Sequence, residues 1–223
     1  VGFETTTPVV ALTVLNAVSQ GITNFMILCA NKTIPEAMRT LSSDKEIGVD
    51  GYIYPGHVSA VIGDGLYQEL ADKYGIPGVI TGFEPVDILG AVLKLTELIK
   101  NGESRVLNLY GRAVNSEGNP IAVEKAYQVF EECDAIWRGL GLIPMSGLRL
   151  REKYESLDAW KLLGGNQEGL EEEPAGCRCG DILKGICIPC DCKLFKTACT
   201  PETPVGSCMV SSEGTCAAYY RYG

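Results

Sequence analysis

Short apolar runs alternate with amphipathic stretches through the first 150 residues of the chain. Leu66, Leu70 and Tyr74 recur at helical spacing, and Ile88 and Val92 begin a second stripe of the same kind. Such a stripe gives a helix one face to bury against a core. Strands that alternate with helices are typical of a parallel sheet. The pattern therefore predicts an α/β body with a largely parallel sheet and flanking helices.

The boundaries of the individual elements follow from the same pattern. The predicted strands are Phe25–Ala30, Gly51–Tyr54, Gly78–Thr81, Arg105–Tyr110 and Gly147–Leu150. The predicted helices are Thr7–Ser19, Pro35–Leu41, Leu66–Tyr74, Val86–Lys100 and Ile121–Glu131. Periodicity alone does not fix the order of the strands in the sheet.

The regular pattern stops after residue 150. Residues 164–174 are polar and acidic and have no apolar period, which is typical of a connector. Residues 176–223 are rich in Cys, Gly and Pro and poor in large aliphatic side chains. Such a segment cannot build a core alone and needs a covalent or metallic organiser. We therefore expect an α/β body at 1–150, an acidic connector at 151–175 and an irregular cysteine-rich segment at 176–223.

Composition and charge narrow the classes of function. The 223 residues carry a formal net charge of −9. This negative net charge argues against a nucleic-acid-binding surface, which needs a basic stripe, and against docking on an anionic membrane. The longest apolar run, around Leu89–Ile99, is broken by Lys94 and Glu97, whereas a membrane span needs roughly 18 apolar residues. We expect a soluble, cytoplasmic protein without a nucleic-acid or membrane partner.

The opening of the chain suggests that it is part of a longer protein. The string Gly-Phe-Glu at positions 2–4 is echoed at positions 82–84, where it follows an apolar run and precedes a helical pattern. By analogy, the first copy should also follow a strand, but none precedes it. The chain also begins without Met. We therefore interpret it as a fragment trimmed at its amino end.

Cysteine is the most informative residue type, because eight of the ten cysteines lie between Cys177 and Cys216. Four thiolates on Gly- and Pro-rich loops suit iron–sulfur clusters and Zn²⁺ alike. Disulfide frameworks belong mainly to small secreted domains, whereas the α/β body here holds only two cysteines. Zinc ribbons usually show two Cys-x₂-Cys pairs, and this tail has one, Cys187–Cys190. The residues favour a [4Fe–4S] cluster and leave zinc and disulfides open.

Unusual short strings stand along the whole chain. In the body they are GFETT at 2–6, PGHVS at 55–59, GFEP at 82–85, WRGLG at 137–141 and SGL at 146–148. In the tail they are GCRCG at 176–180, DC at 191–192, ACTPE at 198–202 and MVSSEGTC at 209–216. In this order they resemble the HypD family of hydrogenase formation proteins, which help assemble the iron centre of [NiFe]-hydrogenases.

The resemblance implies a cofactor and its ligands. HypD-like proteins have two related α/β domains and a segment that binds a [4Fe–4S] cluster through a Cys-x-Cys-x₁₂-Cys-x₆-Cys pattern. The Cys-x₂-Cys pair at 187 and 190 falls at positions that this pattern does not require. On this sequence the implied ligands are Cys177, Cys179, Cys192 and Cys199.

The resemblance also implies partners and a cargo. The family works with the small chaperone HypC and the cyanide donor HypE, and its cargo is iron that carries cyanide and carbon monoxide. Two family motifs, Cys-Gly-Gly-His-Thr-His and Gly-Pro-Gly-Cys-Pro-Val-Cys, do not occur in this sequence. The resemblance assigns the first to holding the cargo iron and the second to a redox-active dithiol. We therefore expect this chain to keep a cluster without completing the reaction alone.

Three residues of the body are candidate catalytic groups. His57, the only histidine, lies just past a predicted strand, and Glu4 and Glu84 each lie on a turn into a helix. Ligands bind at the carboxyl ends of parallel strands, so a functional role for His57 stands beside a structural one. The glutamates suit helix capping as well as paired proton handling. We expect the three side chains to line one cleft at the carboxyl edge of the sheet.

These features together predict an assembly scaffold with redox ability that serves [NiFe]-hydrogenase maturation. The rival hypothesis is a cluster-dependent disulfide reductase of the ferredoxin–thioredoxin reductase kind. Such a protein should carry a dithiol beside its cluster, and Cys187–Cys190 is the only Cys-x₂-Cys pair in the tail. A third hypothesis is a structural domain stabilised by zinc.

Overall fold

The computed structural model describes residues 1–164 and 174–223. Its described residues divide into two units. The first takes in 1–42, 50–135 and 144–164, and the second takes in 43–49, 136–143 and 174–223. The central part of the predicted acidic connector, 165–173, lies outside the described residues.

Helices and strands alternate through the first 150 residues. The helices are α1 (Thr7–Ser19), α2 (Ile34–Ser43), α3 (Gly56–Ile62), α4 (Gly65–Tyr74), α5 (Pro85–Asn101) and α6 (Pro120–Val129). The strands are β1 (Tyr52–Pro55), β2 (Gly78–Thr81), β3 (Val106–Asn108), β4 (Phe130–Trp137) and β5 (Gly141–Leu150). Later come a 3₁₀ helix (Glu152–Leu157), α7 (Ala159–Leu162), α8 (Cys179–Leu183), a second 3₁₀ helix (Pro189–Asp191), α9 (Ser207–Val210) and α10 (Thr215–Tyr222).

A parallel sheet of three strands confirms the predicted α/β fold. Its order is β1-β2-β3, with Tyr54 opposite Ile80 and Val79 opposite Leu107. Every residue of the central strand, β2, is buried, which is why its sequence is a continuous apolar run. Strands β4 and β5 form a separate two-stranded sheet.

Three apolar clusters hold the first unit together, and one of them packs α5 against the parallel sheet. Around the parallel sheet, the rings of Tyr54 and Tyr67 stack with centroids 3.8 Å apart, next to buried Ile80. Helix α1 packs against α6, and its buried residues join a second cluster with Phe130. Tyr154 from the first 3₁₀ helix is buried in that second cluster. The first part of the predicted connector, residues 151–164, is therefore folded and contributes to the core of this unit.

The predicted strand at Phe25–Ala30 is wrong. The segment forms a single β-bridge, between Ile27 and Asp158. The Ile27 N–H donates to the carbonyl of Leu157, and the Ala159 N–H donates to the carbonyl of Ile27. Because Asp158 lies between a 3₁₀ helix and α7, the chain opposite Ile27 is extended for only one residue and no ladder can grow.

Strand β4 and helix α3 were absent from the predicted elements, and the predicted helix Ile121–Glu131 runs two residues into β4. The sequence of β4 lacks the clear alternation of apolar and polar residues that predicts a strand. Its acidic residues interrupt that alternation, because they lie at a partly exposed surface. Glu131 accepts a hydrogen bond from Arg149 of β5 at 2.8 Å, and Asp134 accepts one from the Met145 N–H at 3.0 Å. Cross-strand polar pairs of this kind stabilise a strand without an apolar signal.

Cysteine is the commonest residue in the buried core of the second unit. Five buried cysteines pack there with Ile182, Phe195, Met209 and Ala217. The α-helices of the tail are short: α8 has five residues, α9 has four and α10 has eight. None of the helices in residues 1–164 and 174–223 is both long enough and apolar enough to cross a membrane.

Candidate metal centre and sheet-edge residues

Six cysteine side chains of the second unit line one small cavity. The remaining lining is Gly206 and the apolar residues Ile182, Leu194 and Phe195. The structure therefore brings the four cysteines of the implied ligand pattern to one place, together with two that the pattern does not include. The six are Cys177, Cys179, Cys192, Cys199, Cys208 and Cys216.

Tight turns present these thiols to the cavity. Cys179 is the first residue of α8. The Asp191 carboxylate accepts a hydrogen bond from the Ile188 N–H at 3.0 Å, which fixes the 3₁₀ turn just before Cys192. The Cys199 N–H donates to the carbonyl of Leu194 at 2.8 Å and closes the next turn. Local backbone hydrogen bonds thus set the cysteine positions without a long element.

Backbone groups surround the sulfur atoms closely. The Val205 N–H donates to Cys199 Sγ at 3.3 Å, and the Cys208 N–H donates to Cys179 Sγ at 3.4 Å. A methyl group added at Gly206 would lie 2.5 Å from Cys177 Sγ, so a larger residue at this position would displace the sulfur or the loop. N–H groups directed at cysteine sulfur stabilise the thiolate and tune the potential of a bound cluster.

Three thiols of the site favour their neutral form. Burial raises the pKa of Cys177 and of Cys216. A hydrogen bond with Cys179, together with burial, raises the pKa of Cys208. Because a metal binds the thiolate, any metal that enters must displace protons. Uptake of metal is therefore favoured by higher pH.

The donor chemistry of the cavity fits an iron–sulfur cluster. Among the described residues, its only metal-binding side chains are cysteines, and soft thiolates of this kind select Fe–S clusters and zinc. Across 1–164 and 174–223, no set of three or more His, Cys, Asp or Glu side chains is arranged to hold a metal ion. The nature of the metal stays a prediction, and so does the assignment of Cys177, Cys179, Cys192 and Cys199 as its ligands.

Sequence reasoning left Cys208 and Cys216 without a role and did not place them at this site. They lie beyond the implied ligand pattern, and only the fold of α9 and α10 brings them to the cavity. By contrast, the Cys187–Cys190 pair does not line it. Cys190 is exposed and Cys187 is half-buried.

His57 and Glu84 lie at the ends of neighbouring strands of the parallel sheet. His57 is in the first turn of α3, directly after β1, and its exposed ring lies 4.6 Å from that of Phe83, which follows β2. Glu84 is the exposed N-cap residue of α5, and its side chain makes no capping hydrogen bond. Both residues are therefore at the carboxyl edge, as predicted from their positions after strands.

Glu4 is in a different environment. Its Oε1 accepts a hydrogen bond from the Ile34 N–H at 2.7 Å, whereas its Oε2 is buried without a hydrogen-bond partner. Burial raises the pKa of this carboxyl group. Among the described residues, no hydrogen bond or ring contact joins Glu4 to His57 or Glu84. The single cleft shared by all three stays a prediction.

The fold and the cavity define an α/β protein with a thiol-lined, cysteine-rich tail. The family model described as "HypD: Hydrogenase formation hypA family" matches residues 1–223. The chain therefore belongs to the HypD family.

Individual relatives agree with the family match. The hydrogenase maturation factor HypD2 of Bradyrhizobium diazoefficiens is 44% identical over 230 residues. HypD of Rhodobacter capsulatus is 44% identical over 226 residues. A putative hydrogenase expression/formation protein of Methanocaldococcus jannaschii is 41% identical over 222 residues. These matches cover 100% of this chain but 60%, 60% and 62% of the relatives, so the chain spans about three fifths of their length.

Replacing Glu4 by Gln should stabilise the metal-free protein at neutral pH. Because the folded-state pKa of Glu4 is raised, its protonated form stabilises the fold below its ordinary pKa of 4.5, and that contribution is lost as pH rises through the folded-state pKa. Gln cannot ionise and keeps an acceptor for the Ile34 N–H. We expect a gain in unfolding free energy on the order of 1 kcal/mol at pH 7.

Urea unfolding at neutral and acidic pH checks this expectation. The gain should disappear below about pH 4, where Glu4 itself is protonated. Glu84→Gln is the matched control, because Glu84 is exposed, and it should change little at either pH. Equal effects of the two substitutions, or a gain from Glu4→Gln that persists in acid, would contradict the role given to burial.

Proposed function

We propose that this chain is part of a hydrogenase maturation factor and that its tail holds a [4Fe–4S] cluster. Membership of the HypD family and its similarity to hydrogenase maturation factors support the maturation role. The observation that carries the cluster assignment is the convergence of six thiols on one cavity. We assign the ligands to the four that match the implied spacing, namely Cys177, Cys179, Cys192 and Cys199.

In this proposal the protein is a redox-active scaffold for assembly of the Fe(CN)₂CO centre of [NiFe]-hydrogenases. A HypC-type chaperone and a HypE-type cyanide donor are its partners, and iron that carries cyanide and carbon monoxide is its cargo. The cluster supplies one-electron transfer when it is bound. The residues of this chain hold the cluster in an apolar lining and direct backbone N–H groups at its sulfur ligands.

In the same proposal, residues of the α/β body carry out the acid–base chemistry. Glu4 combines burial with a raised pKa, which suits a carboxyl group that holds its proton to a higher pH than an ordinary glutamate. His57 and Glu84 lie exposed at the carboxyl edge of the sheet, where ligands of open α/β sheets bind. We propose these three residues as the catalytic candidates of the body.

The rival reductase hypothesis needs a dithiol beside the cluster. The pair that the sequence offered for it, Cys187–Cys190, does not line the cavity. The zinc hypothesis shares the same soft donor set as the cluster. Metal and sulfide analysis separates zinc from a cluster directly.

Substituting any of the four proposed ligands by Ala should remove the brown iron–sulfur absorbance. It should also lower the thermal stability of the tail, because metal binding is coupled to folding in a segment without a large core. Cys190→Ala is the matched control, because this exposed cysteine does not line the cavity. Absorbance spectra of anaerobically purified variants provide the measurement. A colourless Cys190 variant beside a coloured Cys192 variant would show that the ligand assignment is wrong.

The chain should keep its cluster without carrying the cargo iron. A soft thiolate is the natural anchor for such iron, and the family motif assigned to that thiolate does not occur in these residues. Infrared spectra of the chain mixed with HypC-type and HypE-type partners test this division. We expect no cyanide or carbonyl stretches from iron bound to this chain. Their presence would show that the tail or body supplies the anchor.

A further inference from the structure

The ring of Tyr110 lies between two turns at the carboxyl edge of the parallel sheet. Gly56 and Gly82 come directly after β1 and β2, and they precede His57 and Phe83. A methyl group added at Gly56 would collide with Cδ1 of the Tyr110 ring, and one added at Gly82 would lie 2.7 Å from its Cε2. These two carbons are on opposite edges of the ring. The ring therefore separates the two turns and packs closely against both.

The loop after β3 fixes Tyr110 in this place. The Tyr110 N–H donates to Asn108 Oδ1 at 2.9 Å, and the Asn108 side-chain amide donates to the Val114 carbonyl at 3.0 Å. The Val114 N–H donates back to the Tyr110 carbonyl at 3.0 Å. The Tyr110 side chain packs against the apolar cluster that contains Ile80. These contacts close the loop on itself and restrict the ring to the gap between the turns.

A bidentate ion pair covers one face of the same ring. The Arg112 guanidinium lies 4.3 Å from the centre of the Tyr110 ring, a cation–π contact. Its two terminal nitrogens pair with the two carboxylate oxygens of Asp87 at 2.5 and 3.3 Å, which is the geometry that makes an arginine pair directional. Asp87 is in the first turn of α5, the helix that begins directly after Glu84. The pair therefore connects the loop after β3 to the helix after β2.

We propose that Tyr110 is a positioning residue whose ring sets the distance between the turn that carries His57 and the turn that carries Glu84. The catalytic use of this distance rests on the proposed function, whereas the spacing itself does not. Ring carbons make the contacts with both glycines, so phenylalanine can take the place of tyrosine. A residue without the ring leaves a gap into which the turns can move. Candidate groups at an active site need supporting residues of this kind, because small displacements remove the productive geometry.

The contact between His57 and Phe83 reports this spacing. Their ring centres lie 4.6 Å apart, one on each turn, so the rings separate if the turns move. His57 is the only histidine of the chain, so its ring protons are identified in NMR spectra of an untagged chain without full assignment. Nuclear Overhauser cross-peaks between the two rings measure their proximity, and Phe83→Ala identifies these cross-peaks by their loss.

The variants of Tyr110 test the proposal. We expect Tyr110→Ala to lose the cross-peaks between His57 and Phe83, and Tyr110→Phe to keep them at the wild-type intensity. Tyr222→Ala is the matched control, because Tyr222 is 86% exposed on α10, and it should keep them as well. If circular dichroism shows that Tyr110→Ala is unfolded, Tyr110→Leu keeps the apolar contact with the cluster around Ile80 but lacks the ring, and it should weaken the cross-peaks in a folded chain.

The outcomes separate this proposal from the proposed function. Cross-peaks of wild-type intensity in a folded Tyr110→Ala or Tyr110→Leu chain would overturn the spacing role of Tyr110, and so would their loss in Tyr110→Phe. Their absence from the wild-type chain would overturn it too. Iron and sulfide analysis of the same samples tests the cluster independently. A chain without a cluster that still loses the cross-peaks in Tyr110→Ala would support the spacing role and refute the cluster.

Discussion

The convergence of thiols on one cavity is the constraint on which the tail depends. Residues 174–223 bury few large side chains, and their core mixes five buried cysteines with a small set of apolar residues. A segment with so little apolar surface to bury gains stability when a metal binds its thiolates, because that binding free energy becomes folding free energy. The short helices, the tight turns and the glycine at 206 place sulfur atoms around this cavity.

Much of the body could be predicted from its sequence, because burial there is periodic. Helix α1 has the predicted limits, and β2 coincides with its apolar run. The two errors in the predicted strands have one physical cause. Whether a segment forms a strand depends on the part of the chain that lies opposite it. Phe25–Ala30 has strand-like residues but only one extended residue opposite it, at Asp158. Strand β4 has acidic residues, and donors on β5 form hydrogen bonds with two of them, Glu131 and Asp134.

The part of the candidate site that depends on the spacing of cysteines along the sequence could be predicted. A family pattern of cysteines identifies four residues that the structure brings to one cavity. It could not identify Cys208 and Cys216, because a turn between two short helices sets their approach to each other and to Cys179. Likewise, the position of Glu4 before a helix gave no sign that one carboxylate oxygen is buried without a partner. Such contacts depend on tertiary packing, which a sequence pattern does not contain.

The central claim is that this thiol-lined tail holds an iron–sulfur cluster. Anaerobic purification of the unmodified chain, followed by iron, acid-labile sulfide and zinc analysis, tests it most directly. A [4Fe–4S] cluster predicts about four iron and four sulfide per chain, with little zinc. Zinc without sulfide, or a chain that binds neither metal and remains fully folded from 174 to 223, would contradict the account.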